Sequence, residues 1–256
     1  FTGNKFEFRM VASSMSIAGA NTVLNTIVAD VLSDMADELE NAENFDLAVH
    51  DLIKKTLTEH QRVIFNGNGY SEEWVAEAER RGLPNVKTMV DAVPSLISEK
   101  SIKMFEKFKV FSEVELHSRA EINYEAYSKA INIEAKTMIE MVNKKYIPAV
   151  IKAVATLAES INSVKAAVPS ADVSVQTTLL TDTSALLAKA KAAVINLQEV
   201  VTEAATKEEG AEQATYFKDV VFSTMAELRA PIDALELIID KEAWPVPTYG
   251  ELLFEV

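Results

Sequence analysis

The hexapeptide "NKFEFR" near the start of the chain sets Lys5, Glu7 and Arg9 alternately with Phe6 and Phe8. The alternation has the two-residue period of a β-strand, so the three charged side chains share one face and the two rings the other. Two readings stay open. The charged face is a solvated sheet surface, or it is a site where the Glu7 carboxylate holds a divalent cation while Lys5 and Arg9 hold phosphate oxygens. A lone strand leaves its backbone donors and acceptors unpaired, so the pattern predicts a sheet whose other strands are not in this sequence. The chain also starts without Met, and together these features predict a piece of something longer.

The other candidates lie in helical sequence. Glu113, His117 and Glu121 recur every four residues and share a helix face, where a solvated surface is the preferred reading over a metal site. A dinuclear centre inside a bundle needs Glu-x-x-His pairs, and none of His50, His60 and His117 has Glu three residues before it. "NGNGYSEEW" looks like a phosphate-cradling loop but lacks a third glycine, and Glu72 and Glu73 stand where an anion would sit. It reads as a structural turn followed by a helix capped by Ser71.

The elements behind these residues are helices. Leu24, Val28, Val31, Met35 and Leu39 predict a helix over 20–41, and a second runs from Phe45 to Phe65. Ser71 starts a short helix that Gly82 and Pro84 close, and a Pro94-interrupted segment leads into "SEKSIKMFEKF". From Ser112 a stripe passes through Tyr124, Tyr127, Ile131, Met138 and Tyr146 and continues in phase through Val150, Leu157 and Val164. The unbroken phase predicts one long helix kinked at Pro148 rather than two joined by a loop. Two further helices follow "PSADVS" and "KEEG", the last holding Pro231, and short connections make neighbours antiparallel. Pro245 and Pro247 favour an extended terminal arm.

Composition narrows the function classes. Hydrophobic residues make up 48% of 256, enough for a sizeable core, while only seven Gly and seven Pro disfavour a turn-rich β protein. With no Cys there is no disulfide or thiol chemistry, which fits a reducing compartment. A net charge of −14 without clustered Lys and Arg argues against nucleic acid as a partner. No apolar run approaches the roughly 18–20 residues of a membrane span, and no signal-peptide pattern is visible.

"NKFEFR" followed by "SSMSIAGANTVLN" resembles the closing part of the glutamine synthetase catalytic domain, where a basic-x-Glu-x-Arg strand lines the active site. "HQRVIFNGNGYSEEWVAEAERRGLPN", "SEKSIKMFEKFKVFSEVELHSRAEI", "INIEAKTMIEM" and "WPVPTYGELLF" resemble the C-terminal extension of type III glutamine synthetases. The resemblance implies a mainly α fold: a long antiparallel helical bundle preceded by one orphan β-strand from a truncated catalytic domain. It divides the chain into the end of that domain (1–41), an irregular helical connector (42–111), the long-helix bundle (112–243) and an extended arm (244–256).

By the same resemblance the parent is a cytoplasmic ligase joining ammonia to L-glutamate with ATP through γ-glutamyl phosphate. It assembles as a homo-oligomer of stacked rings and has no nucleic-acid or membrane partner. Glu7 is then a ligand of a catalytic Mg2+ or Mn2+, and Arg9 contacts the transferring phosphoryl group and the reacting carboxylate. Lys5 stands near the nucleotide phosphates where the family usually has arginine; lysine keeps the charge without the bidentate fork. The remaining machinery is not in this sequence, so the chain alone is expected to be inactive. The rival class is a non-catalytic helical module for structure or interaction.

Overall fold

The computed structural model describes residues 15–247 and 249–254, and every regular element in them is a helix. This corrects the expected fold class: among the described residues no β-strand precedes the bundle, and the fold there is all-helical. Over the described residues the apolar positions recur every three or four places, the period of helix rather than strand. The segment expected to form that strand lies outside the described residues. The chain divides into two compact units, Phe1–Ala120 and Glu121–Val256.

The first unit contains α1 (Ala18–Leu39), α2 (Phe45–Glu59), α3 (Glu72–Arg80), α4 (Met89–Leu96) and α5 (Glu99–Lys107). Their starts follow side-chain chemistry. Asn44, Ser71, Thr88 and Ser98 each accept a hydrogen bond from the backbone N–H three residues on, satisfying a donor the helix leaves unpaired. Gly82, at φ +68°, ends α3: its N–H donates to the Glu79 carbonyl and that of Leu83 to Ala78. The same pair of bonds ends α5, from Lys109 to Glu106 and from Val110 to Phe105, with Lys109 at φ +54° where glycine is usual. Phe105 is fully buried, its ring 5.3 Å from that of Phe111. Lys107 ties α5 to α1 through Asp30 at 2.8 Å and Asp34 at 3.1 Å.

The boundary between units falls within α6 (Glu113–Met141), which opens on a reciprocal cap. The Glu115 N–H donates to the Ser112 hydroxyl, and the Glu115 carboxylate accepts from the Ser112 N–H at 3.0 Å. The chain does not reverse at Pro148. Met141, Tyr146 and Ile147 all keep right-handed helical backbone, and α7 (Ile147–Ala167) continues α6 through a π turn at Val142–Tyr146. There the Ile147 N–H bonds to the Val142 carbonyl five residues back, widening the turn just before the residue that has no N–H and needs room for its ring.

α8 (Ser174–Ala204) runs back between α7 and the last long helix, which consists of α9 (Ala211–Tyr216), a second π turn at Phe217–Val221 and α10 (Phe222–Glu236). Val150, Val194, Leu197, Val221, Leu228 and Leu235 are completely buried between them. The expected extended arm differs from the structure at its end: beyond Pro247 a short helix, α11 (Tyr249–Phe254), forms. By length and composition alone, the continuous helix Glu113–Ala167 contains a stretch able to cross a membrane, the one such helix among the described residues. A helix of a soluble protein can meet the same criterion.

Candidate functional site

Lys5, Glu7 and Arg9, the residues expected to do chemistry, lie outside the described residues. Glu113, His117 and Glu121 on α6 are all exposed. Among the described residues no group of three or more His, Asp or Glu side chains converges as a metal ion would require.

The "NGNGYSEEW" segment is a locked turn. The Tyr70 N–H donates to the Asn68 side chain at 3.0 Å, and the Trp74 N–H to the Ser71 hydroxyl at 3.3 Å. Glu73 sits in the first turn of α3, its carboxyl held below the usual range by its own backbone N–H and by Ser71. A carboxylate in that place occupies the positive end of the helix, which leaves no room for phosphate.

Arg81 is the residue that fixes this segment. Its guanidinium donates to the carbonyls of Arg62 at 3.2 Å and Ile64 at 2.9 Å, pairs with Glu77, and lies 5.5 Å from the Trp74 ring centroid. Trp74 in turn stacks on Phe65 at 4.0 Å. Glu77 takes both Arg80 and Arg81, and these hydrogen bonds lower its pKa to about 2. Sequence spacing shows the i,i+3 and i,i+4 pairs from Glu77. It does not show that Arg81 also reaches back across the turn.

Two arrangements in the second unit were missed by sequence reasoning. At the corner from α8 to α9, the Glu203 carboxylate accepts from Lys207 at 2.8 Å and from the Tyr216 hydroxyl, while Lys207 lies 4.7 Å from the Tyr216 ring centroid. Lys207, then Tyr216, holds the Glu203 carboxyl below its usual range, and burial raises the Tyr216 hydroxyl. Gly210 opens α9 at φ +95°, with the Glu121 carboxylate close to where a side chain would begin.

The second arrangement is a cleft of about 360 Å3 between the end of α6, α10 and the terminal arm. Met138, Met141 and Tyr146 form one wall, Ile232 and Glu236 another, and Val246 and Leu252 the roof. The roof is anchored by the Trp244 ring, 5.0 Å from Tyr146, and by a 3.0 Å ion pair from Lys241 to Glu251. The i,i+3 spacing of Met138 and Met141 was visible in the sequence. The return of Val246 and Leu252 to them was not.

Comparison with known proteins adds the family. Residues 48–165 match the family described as the glutamine synthetase C-terminal domain. A type-3 glutamine synthetase of Dictyostelium discoideum is 37% identical over 266 residues, covering 99% of this chain and 36% of that protein. A glutamine synthetase of Butyrivibrio fibrisolvens is 34% identical, covering 100% of this chain and 37% of the relative. One of Bacteroides fragilis is 30% identical, with 99% and 36% covered. The chain thus spans little more than a third of the length of the curated relatives it matches, along nearly all of its own residues. The chain belongs to the glutamine synthetase family, and its residues 48–165 correspond to that family's C-terminal domain.

Proposed function

We propose that this chain is the C-terminal portion of an enzyme that ligates ammonia to L-glutamate. In this reading the γ-carboxylate attacks the terminal phosphoryl group of ATP, giving γ-glutamyl phosphate and ADP, and ammonia then displaces phosphate to give glutamine. The observation that carries the reading is similarity along 99–100% of the chain to glutamine synthetases, the "NKFEFR" segment included in the matched span. Support also comes from α1, which leaves Ile27, Val28, Val31 and Leu32 between 43% and 58% exposed. A run of apolar side chains on one helix face is what a larger protein would cover.

Glu7 is assigned to hold Mg2+ or Mn2+, Arg9 to contact the phosphoryl group and the reacting carboxylate, and Lys5 to sit by the nucleotide phosphates. The cation supplies charge neutralisation for the phosphoryl oxygens. One carboxylate does not satisfy an octahedral ion, so the fit is partial and the other ligands belong to polypeptide outside this sequence. Residues 42–256 are assigned to assembly or regulation of a cytoplasmic homo-oligomer built of stacked rings, without a nucleic-acid or membrane partner. A second reading is a helical interaction module with no share in catalysis, which the exposed apolar face of α1 would serve equally well.

The test uses the longer enzyme. Glu7→Gln removes the charge at constant volume and is expected to lower turnover on the order of 100- to 1000-fold, as loss of one preorganised charge contact does. Arg9→Lys also lowers it, whereas Glu113→Gln and His117→Asn leave it near normal. Glutamine formation is assayed at saturating Mg2+, ATP, glutamate and ammonia, with assembly checked first. An assembled Glu7→Gln enzyme of normal activity removes the site assignment and leaves the second reading.

A further inference from the structure

The cleft under the terminal arm has the make-up of a small-molecule site rather than of packing left unfinished. Its volume, about 360 Å3, lies in the range of ligand pockets. Two of its wall residues, Met138 and Met141, are unbranched thioethers that adapt to the shape of an occupant, and Tyr146 adds an aromatic face. A π turn, Val142–Tyr146, forms part of the wall; such turns recur at functional sites.

The polar groups select the ligand's charge. Arg229 already pairs with Asp233 at 3.0 Å, one turn before Glu236 on α10. Glu236 is half-buried, lines the cleft, and has no cationic partner among the described residues. A carboxylate partly withdrawn from water against Met and Tyr side chains favours a cation. The apolar walls favour a cation carried on an apolar body.

We propose that this cleft binds a small primary ammonium compound with an apolar body, its ammonium on Glu236 and its body between Met138, Met141, Tyr146 and Leu252. Val246 and Leu252 belong to the arm and the other walls to α6 and α10, so an occupant joins the arm to the bundle. The site is independent of the glutamate-ligating residues and stands or falls without them.

The probe is 2-phenylethylammonium, titrated into the 256-residue chain and followed by Trp244 fluorescence in a Trp74→Phe background. Two isosteres serve as controls: neutral 2-phenylethyl alcohol and anionic 3-phenylpropionate. Saturable binding of the ammonium probe is expected, weakened roughly 10-fold by Glu236→Gln, because the amide keeps an acceptor but loses the negative charge that strengthens the contact with an ammonium. The alcohol should bind at least as weakly to the parent as the ammonium does to the Gln variant, and the anion should not bind. Met141→Trp fills the cleft and should abolish binding while circular dichroism reports intact helix. Absence of binding by the ammonium probe overturns the proposal. So does equal binding of the alcohol, or an affinity that Glu236→Gln leaves unchanged.

Discussion

Gly210 offers the sharpest test of how the second unit is held. It caps α9 at φ +95° and ψ −133°, a conformation that a residue with a Cβ rarely adopts. A Cβ built there would lie 2.7 Å from the Glu121 carboxylate oxygen. Two effects of Gly210→Ala can therefore be separated. Backbone strain of this kind costs about 1–3 kcal/mol. Replacing glycine by alanine also stiffens the unfolded chain, which returns about 0.4–1 kcal/mol. The clash is the smaller matter, since the offending atom is the end of an exposed, flexible side chain. The net expectation is a loss of about 1–2 kcal/mol, or roughly 2–8 °C in Tm at this chain length. Thermal unfolding followed by far-ultraviolet circular dichroism measures it, on Gly210→Ala with and without Glu121→Ala. The double variant should be destabilised, relative to Glu121→Ala, by the same amount as the single. A Gly210→Ala chain as stable as the parent would refute the strain, and full recovery on adding Glu121→Ala would show that the contact with Glu121 was the whole effect.

Lys109 presents the converse case: at φ +54° it closes α5 in a place that suits glycine, so Lys109→Gly should stabilise the chain by up to about 1 kcal/mol. A urea midpoint that falls instead would show that the lysine side chain outweighs its backbone. The Glu77 clamp predicts a pH effect. Its pKa is lowered from 4.5 to about 2 by Arg80 and then Arg81, so its contribution is complete above about pH 4.5 and is lost as pH falls toward 2. Trp74 fluorescence should change across that window, and an unaltered change in Glu77→Gln would mean that another group is responsible.

Much of the helical order is legible from local residues. Ser71, Thr88 and Ser98 mark helix starts, and Gly82 marks a stop, because a capping side chain or a left-handed backbone acts within one turn. The continuous helix across Pro148 is legible too, since a loop would have reset the phase of the apolar stripe and none does. The sequence also carried the family, through short segments whose order matches glutamine synthetases.

Tertiary structure decided the rest. Nothing in the order of residues says that strain at Pro148 is relieved by a π turn just before it, because the register of the hydrogen bonds depends on how the whole helix packs. The expectation of an extended end ignored that the two prolines limit only their own positions and the residues before them, leaving Tyr249–Phe254 free to coil. Arg81 reaching Arg62 and Ile64, and Leu252 closing over Met138, join residues 17 to more than a hundred positions apart. Periodicity records which face of a helix is apolar. Which other chain segment covers that face is set by packing between elements, and no local pattern encodes it.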